Sequence, residues 1–282
     1  MKLPELNRPA VIIGAGTIGR RIALMFATGK NEVRLVDHSP QALAASRDYI
    51  EKQLPLLLEK TGATAPKIVY SDDLAASLTD AWLVTEAIPE LLEEKKKLFA
   101  QLDRIAPDDA ILASNSSSYP SSHFIHALSK PERVLNTHYL IPPERNPVEI
   151  MSCGKTDPIV IELLLAELPK YGLAPFHVLE ESVGFIFNRI WAAIKRESLM
   201  VVAEGVSTPA DVDRIFELSV GTRGGPFRMM DMVGLDVVLD IEEHYAALNP
   251  DLSELPRKLL REYVSQGRLG MKSGHGFYEY SK

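Results

Sequence analysis

His138 ends a strand-like run, Val134-Leu135-Asn136-Thr137, and Glu149 stands eleven residues further on, inside the next such run, Pro147–Ile150. An imidazole titrates near neutrality, so it can take a proton from a carbinol hydroxyl or return one, a service worth about 10²–10⁴ in rate. The loop between the runs carries Pro142, Pro143 and Pro147. Folded back, it would set the second run beside the first, and a carboxylate there would fix the imidazole tautomer and stabilise the imidazolium. The plainer alternatives are a packing histidine after a strand and a solvated edge glutamate. Histidines 38, 123, 126, 177, 244 and 275 lack such a setting and read as surface or packing residues. The single cysteine, Cys153, excludes an internal disulfide and reads as a small core or surface residue. No Cys/His cluster suggests a metal.

A second chemistry-bearing pattern lies near the start. The strand-like run Val11-Ile12-Ile13 passes directly into Gly14-Ala15-Gly16-Thr17-Ile18-Gly19, and a helical pattern follows. In this spacing Gly14 permits a tight turn, Gly16 lets a pyrophosphate approach the backbone at a helix N-terminus, and Gly19 lets helix and strand pack closely. A second strand ends at Asp37, 23 residues after Gly14. A carboxylate there accepts hydrogen bonds from a ribose 2′-hydroxyl and repels a 2′-phosphate, and no arginine adjoins it, so NAD is favoured over NADP.

These residues need a scaffold. Strand-like runs at Val11–Ile13, Val33–Asp37, Trp82–Glu86, Ile111–Ala113, Val134–His138, Pro147–Ile150 and Phe176–Leu179, with a weaker one at Lys67–Tyr70, alternate with helical patterns. The clearest helix is Pro89–Ala106, with Leu91, Leu98, Leu102 and Ile105 as an apolar stripe. Such alternation predicts an α/β Rossmann-type N-terminal domain with a mostly parallel sheet. Ligands of such sheets sit beyond the carboxyl ends of the strands. Two segments bring polar groups to that edge and toward a nicotinamide: Ser114-Asn115-Ser116-Ser117-Ser118, and His138. After about residue 182 the pattern becomes helical: residues 185–204, a helix capped by Thr208 with Pro209 in its first turn, then 229–246 and 253–266. The expected domains are 1–182, binding NAD, and an all-α 183–282. Asn188, among Phe185, Ile186, Phe187 and Ile190, is either an end cap or an amide aimed into a cleft.

Composition bounds the remainder. The chain has 282 residues, 46% hydrophobic and 24% charged, with net charge −7, so it presents no basic field for nucleic acid. No apolar run reaches the roughly 18 residues of a membrane span. The N-terminus lacks the apolar core of a signal peptide, so a cytoplasmic location is expected.

The motifs VIIGAGTIGR, EAIPELLEEKKKLFAQLD, SNSSS, VGFIFNR, GGPFRMMDMVGLD and LGMKSGHGFYEYSK together resemble the L-3-hydroxyacyl-CoA dehydrogenases, NAD-dependent enzymes of fatty-acid β-oxidation and butyrate metabolism. The resemblance covers nearly the whole chain. It implies His138 as base for oxidation and acid for reduction, and Glu149 as its orienting partner, at a spacing one residue shorter than expected. It further implies Ser117 on the substrate oxygen, Asn188 positioning substrate and histidine across the domain cleft, Glu90 and Lys95 on the cofactor, and a homodimer formed through the helical domain. Lys95, within Lys95-Lys96-Lys97, reads alternatively as a solvated helix charge. Two departures stand out. The family's H-F-F-N-P reads His138-Tyr139-Leu140-Ile141-Pro142, placing an apolar residue where the family has an asparagine. The segment from Asp37 to Trp82, where the family has a longer CoA-binding hairpin, is short, leaving Arg47, Lys52, Lys60 and Lys67 as phosphate partners. The readings that follow are a 3-hydroxyacyl-CoA dehydrogenase, a relative acting on a non-CoA 3-hydroxy acid or other small carbonyl compound, and a non-catalytic NAD-binding protein.

Overall fold

A computed structural model describes residues 1–61 and 64–280, without the side chains of residues 60 and 61. The chain divides into two compact units, Met1–Ile186 and Phe187–Lys282.

The first unit is built on one sheet of eight strands: β1 (Ala10–Ile13), β2 (Val33–Val36), β3 (Ile68–Ser71), β4 (Leu83–Glu86), β5 (Ile111–Ser114), β6 (Val134–Tyr139), β7 (Pro147–Ser152) and β8 (Ala174–Val178). Their spatial order is β3-β2-β1-β4-β5-β6-β7-β8, parallel except between β6 and β7. The strand order reverses at β1, which lies between β2 and β4. That reversal is the switch point beyond whose carboxyl end open α/β sheets bind ligands.

Alternation along the strands supplies both faces. Ile12, Leu35, Leu83, Ile111 and Leu135 point into one core with Ile22 and Phe26 of helix α1 (Thr17–Phe26) and Ile50 of α2 (Pro40–Thr61). Val11, Val36, Val84, Leu112 and Val134 point into the other, with Phe99 and Leu102 of α4 (Leu92–Ile105). The sequence marked a single weak strand between Asp37 and Trp82. That stretch holds α2, β3 and the short α3 (Leu74–Leu78). The apolar stripe expected on α4 is rotated: Leu91 and Ile105 are exposed, while Lys95, Phe99 and Leu102 are buried. A lysine occupies a core-facing position of this helix because a buried glutamate awaits it. The strip between β7 and β8 carries α5 (Pro158–Glu167), capped by the Asp157 side chain.

The second unit is helical: α6 (Phe187–Ala203), α7 (Pro209–Val220), α8 (Pro226–Val233), α9 (Leu235–Leu248) and α10 (Leu255–Ser265). The helix expected over 229–246 is two helices, because Gly234 takes φ +105 between them and no continuous helix passes through that conformation. Thr208 caps α7 as expected, accepting from the Asp211 N–H. Phe227, Met230, Leu235, Val238, Leu199 and Leu260 form its core. Two buried carboxylates organise it. Asp213 accepts from the Phe227 and Arg228 N–H groups and the Tyr278 hydroxyl, and Asp231 from the Phe277 and Tyr278 N–H groups. No helix among the described residues is long and apolar enough to cross a membrane.

Candidate active site

The three glycines after β1 serve different ends. Gly14 has φ +101, and a Cβ there would lie 2.5 Å from the Ala87 carbonyl oxygen. A Cβ on Gly19 would lie 1.8 Å from the Gly14 carbonyl oxygen. Those two glycines are demanded by the turn itself. Gly16 is not: a Cβ on it would meet nothing within 4 Å. It caps α1 without any side-chain bond, and the helix carries no acid in its first turn. Gly16 and Thr17 are exposed and Ile18 is half-buried. The N-terminal N–H groups of α1 therefore face an open, uncharged cradle of the kind that receives phosphate.

Asp37 follows β2. Its two carboxylate oxygens accept from Ala15 N–H at 2.7 Å and Ser39 N–H at 2.8 Å. The acid is thereby fixed against the glycine-rich turn, with lone pairs left for ribose hydroxyls. The open cradle and the fixed acid fit a dinucleotide without a 2′-phosphate. Of the basic residues on the short α2–β3 segment, Arg47 stacks over Tyr70 at 4.8 Å and Lys67 pairs with Glu32 at 2.8 Å. Lys52 is exposed, and the Lys60 side chain lies outside the described residues.

At the carboxyl ends of β4 and β5 lies a buried polar network. Glu86, fully buried, accepts from Lys95 Nζ at 2.6 Å, from the Ser114 hydroxyl at 2.6 Å and from Ile88 N–H at 2.9 Å. Lys95 Nζ also lies 3.1 Å from Glu90. Glu90 accepts from the Ser116 hydroxyl and from Ser118 N–H. Burial alone would raise the Glu90 carboxyl. The Ser116 hydroxyl, the Lys95 charge and the Ser118 N–H outweigh it and hold the group below the usual carboxylate range. Burial excludes the solvated-charge reading of Lys95. Its ammonium is engaged by two carboxylates, and through Glu90 it braces the loop that carries Ser117. Asn115 braces the same loop from the other side, its side-chain oxygen accepting from Tyr139 N–H at 3.0 Å. Ser117 is half-buried and makes no side-chain hydrogen bond among the described residues.

The register then places His138. Ser114, the last residue of β5, pairs with Asn136, so β6 carries its chain past the end of β5 and delivers His138 beyond that edge. β7 returns antiparallel, with Glu149 directly opposite His138. The imidazole Nδ1 lies 2.8 Å from Glu149 Oε2, with the two residues 6% and 2% exposed. Burial excludes the solvated-edge reading of Glu149. An acceptor-only carboxylate assigns the proton to Nδ1 and leaves Nε2 as the working nitrogen. The other carboxylate oxygen accepts from Ile186 N–H at 2.8 Å. The ring of Phe185 stacks on the imidazole, with centroids 4.9 Å apart and planes inclined by 27°.

Sequence reasoning missed Glu86 and Phe185, and gave Ser116 no role beyond its place in the polar segment 114–118. A carboxylate ending a buried strand, with a lysine nine residues later, was the available signal for Glu86. Phe185 read as the first residue of a helix, but its φ is +53 and α6 starts at Phe187. Asn188 lies in the first turn of α6, half-buried, and belongs to the second unit.

Residues 9–182 match the model of the 3-hydroxyacyl-CoA dehydrogenase NAD binding domain, and residues 184–280 that of the 3-hydroxyacyl-CoA dehydrogenase C-terminal domain. A probable 3-hydroxybutyryl-CoA dehydrogenase of Bacillus subtilis is 33% identical over 279 residues, covering 96% of this chain and 97% of that protein. The crystal structure of (S)-3-hydroxybutyryl-CoA dehydrogenase from Ralstonia eutropha superposes with a TM-score of 0.86 at 30% identity, over 98% of this chain and 99% of the other. A diketoreductase studied for its catalysis on dicarbonyl compounds superposes with a TM-score of 0.83 at 29% identity, over 99% and 100% of the two chains.

Proposed function

The chain belongs to the 3-hydroxyacyl-CoA dehydrogenase family, and on that premise we propose that it interconverts an L-3-hydroxyacyl-CoA and the 3-ketoacyl-CoA with His138 as the acid/base. It is an NAD-dependent dehydrogenase acting on a CH–OH group. The observation that carries the assignment is the His138–Glu149 pair, buried and aligned at the carboxyl edge of the sheet whose switch point holds the glycine-rich cradle.

NAD, when bound, would supply the hydride acceptor for oxidation and, in its reduced form, the hydride donor for reduction. Gly14, Gly16, Thr17, Ile18 and Gly19 would hold its pyrophosphate and Asp37 its ribose, with Glu90, Lys95 and Asn115 shaping the nicotinamide side. The protein's own part is proton management. In oxidation His138 Nε2 takes the hydroxyl proton, and the imidazolium that forms is stabilised by the Glu149 carboxylate on Nδ1. In reduction the imidazolium returns the proton to the carbonyl oxygen. Ser117, on its braced loop, would donate to that oxygen and so strengthen as charge develops on it. Asn188 is proposed as a substrate hydrogen-bonding residue on the strength of the motif Val183–Arg189.

Replacing His138 with alanine tests the assignment. Turnover should fall by roughly 10²–10⁴ while NADH binding is little changed; turnover within threefold of the parent overturns it.

A second reading has a specific observation behind it. Ile141, three residues past His138, is 49% exposed and apolar. That favours a small neutral dicarbonyl or 3-hydroxy compound lacking CoA, in keeping with the similarity to a diketoreductase. NADH oxidation with acetoacetyl-CoA, free acetoacetate and a β-keto ester at equal concentration separates the two. Turnover confined to the thioester supports the CoA reading, and equal turnover of the small ketones supports the other.

We also propose a homodimer formed through the helical unit. Ile215, Leu218 and Val220 on α7, Met232 on α8, and Val237 on α9 are large apolar residues left exposed, and apolar surface of this kind is what a subunit contact covers. Sedimentation at micromolar concentration should give twice the chain mass. The single cysteine, buried, suits a reducing compartment, the cytoplasm.

A further inference from the structure

Among the described residues two that are not glycine have positive φ, Ile141, three residues after His138 in the chain, and Phe185, whose ring lies on the His138 imidazole. A bulky side chain in the left-handed region is an outlier that persists only where its surroundings impose it, and such outliers gather at working sites. For Phe185 the surroundings are visible. Phe185 N–H closes a turn on the Ser182 carbonyl, and Gly184 before it is also left-handed, at φ +78. Ser182 N–H lies 3.3 Å from the Met151 sulfur. The Phe185 ring, 2% exposed, packs with Met151 of β7 and Val178 of β8. The segment is thus seated on the strand that carries Glu149.

Seated there, it holds both members of the pair at once. The ring of Phe185 covers one face of the imidazole, and the next N–H, that of Ile186, takes the Glu149 oxygen that His138 does not use. A hydrogen bond from Nδ1 alone leaves the imidazole free to swing about that bond. A stacked ring removes this freedom, and the second N–H removes the corresponding freedom of the carboxylate. Ring–ring contact at 4.9 Å lies within the range where aromatic pairs attract beyond simple burial.

We propose that Phe185 is a positioning residue for the proton transfer: its ring, held in place by the left-handed turn, fixes the plane of the His138 imidazole and so the direction of Nε2. It touches neither hydride nor proton. This rests on His138 being the acid/base, and the test keeps the two claims apart.

Four variants are compared by steady-state kinetics, thermal unfolding and the imidazole C–H proton resonances: Phe185→Leu, Phe185→Tyr, Phe185→Gly and His138→Gln. Leucine keeps an apolar cover but no ring. It should lower kcat by about 10²-fold, the scale on which misalignment of a reacting group is felt, with KM for NADH within twofold. The His138 ring protons should move downfield as the ring current is lost. Tyrosine should restore kcat to within threefold. Glycine accepts the left-handed turn without a side chain and should lose activity as leucine does. If glycine is as active as the parent, or leucine loses only thermal stability with kcat unchanged, the ring does not position the histidine and the inference is overturned. If His138→Gln itself retains turnover, the acid/base assignment has failed instead.

Discussion

Lys95 Nζ lies 2.6 Å from Glu86 Oε1 with the two residues 1% and 0% exposed. A charged pair so far from water is held by its mutual attraction and by the Ser114, Ile88 and Glu90 groups around it. Removing one member leaves the other buried and uncompensated. Lys95→Met should therefore cost about 3–5 kcal/mol of folding stability, against a fraction of that for Lys97→Met, whose side chain is 72% exposed. Urea unfolding followed by circular dichroism checks both, and equal midpoints for the two variants would sink the claim.

The glycines of the turn should separate by function. Gly19→Ala drives a Cβ against the Gly14 carbonyl and should destabilise by about 1–3 kcal/mol or more, as overpacking does. Gly16→Ala, at φ −71 with open space around it, should leave the melting temperature within about 2 °C of the parent. It should still weaken NADH binding at least about 10-fold, because the methyl group enters the phosphate cradle. Calorimetric melting and NADH fluorescence titration read the two effects separately.

One Glu149 oxygen faces the His138 Nδ1–H and the other accepts from the Ile186 N–H. An amide has one acceptor atom, so Glu149→Gln must face an NH₂ group toward either His138 or Ile186. It also removes the charge that stabilises the imidazolium. A fall in kcat of about 10–100-fold is expected, with NADH affinity retained. Stopped-flow single-turnover reduction measures the chemical step directly, and an unchanged rate would refute the role.

Asp37 should decide between the two nicotinamide cofactors. Its carboxylate is anchored by Ala15 and Ser39 N–H groups, and its remaining lone pairs are the ones proposed to accept from the ribose hydroxyls. Asp37→Ser loses a charged acceptor worth about 1.5–3 kcal/mol, so the NADH dissociation constant should rise by about 10–100-fold while that for NADPH falls or holds. An unchanged ratio of the two constants would place the ribose elsewhere.

Acid stability should carry the mark of Asp103. Burial alone would raise its carboxyl, but the Ser129 N–H, the Ser129 hydroxyl and Arg133 together hold it below 3.8. A carboxyl whose folded value is lowered binds fewer protons folded than unfolded. Its contribution is therefore full above the unfolded value and lost as pH falls through the folded one. Urea midpoints measured from about pH 6 down to about pH 3 should fall more steeply for the parent than for Asp103→Asn in the region below 3.8. Parallel curves would assign the acid limb to other groups.

The sequence by itself determined the glycine-rich turn, the acid 23 residues later, the parallel alternation and the switch to a helical second part. Each of these is written locally, in spacing, chain direction and backbone permission. It also singled out His138 and Glu149, because a proline-bearing loop between two strand-like runs can return the chain antiparallel. What it left open was decided by tertiary structure. Glu149 became a buried partner only because the β6–β7 register set it opposite His138 and not one residue away, where it would face the other side of the sheet. Lys95, one of three consecutive lysines, turned inward because Glu86 ends β4 at the matching height. Leu91 and Ile105, at the two ends of the helix, stayed exposed. Phe185 left the helix that its neighbours suggested because packing on Met151 and Val178 imposed a left-handed turn no propensity favours. Register, burial of a charge and the conformation of a strained residue depend on groups far apart in the chain, and local sequence carries no term for them.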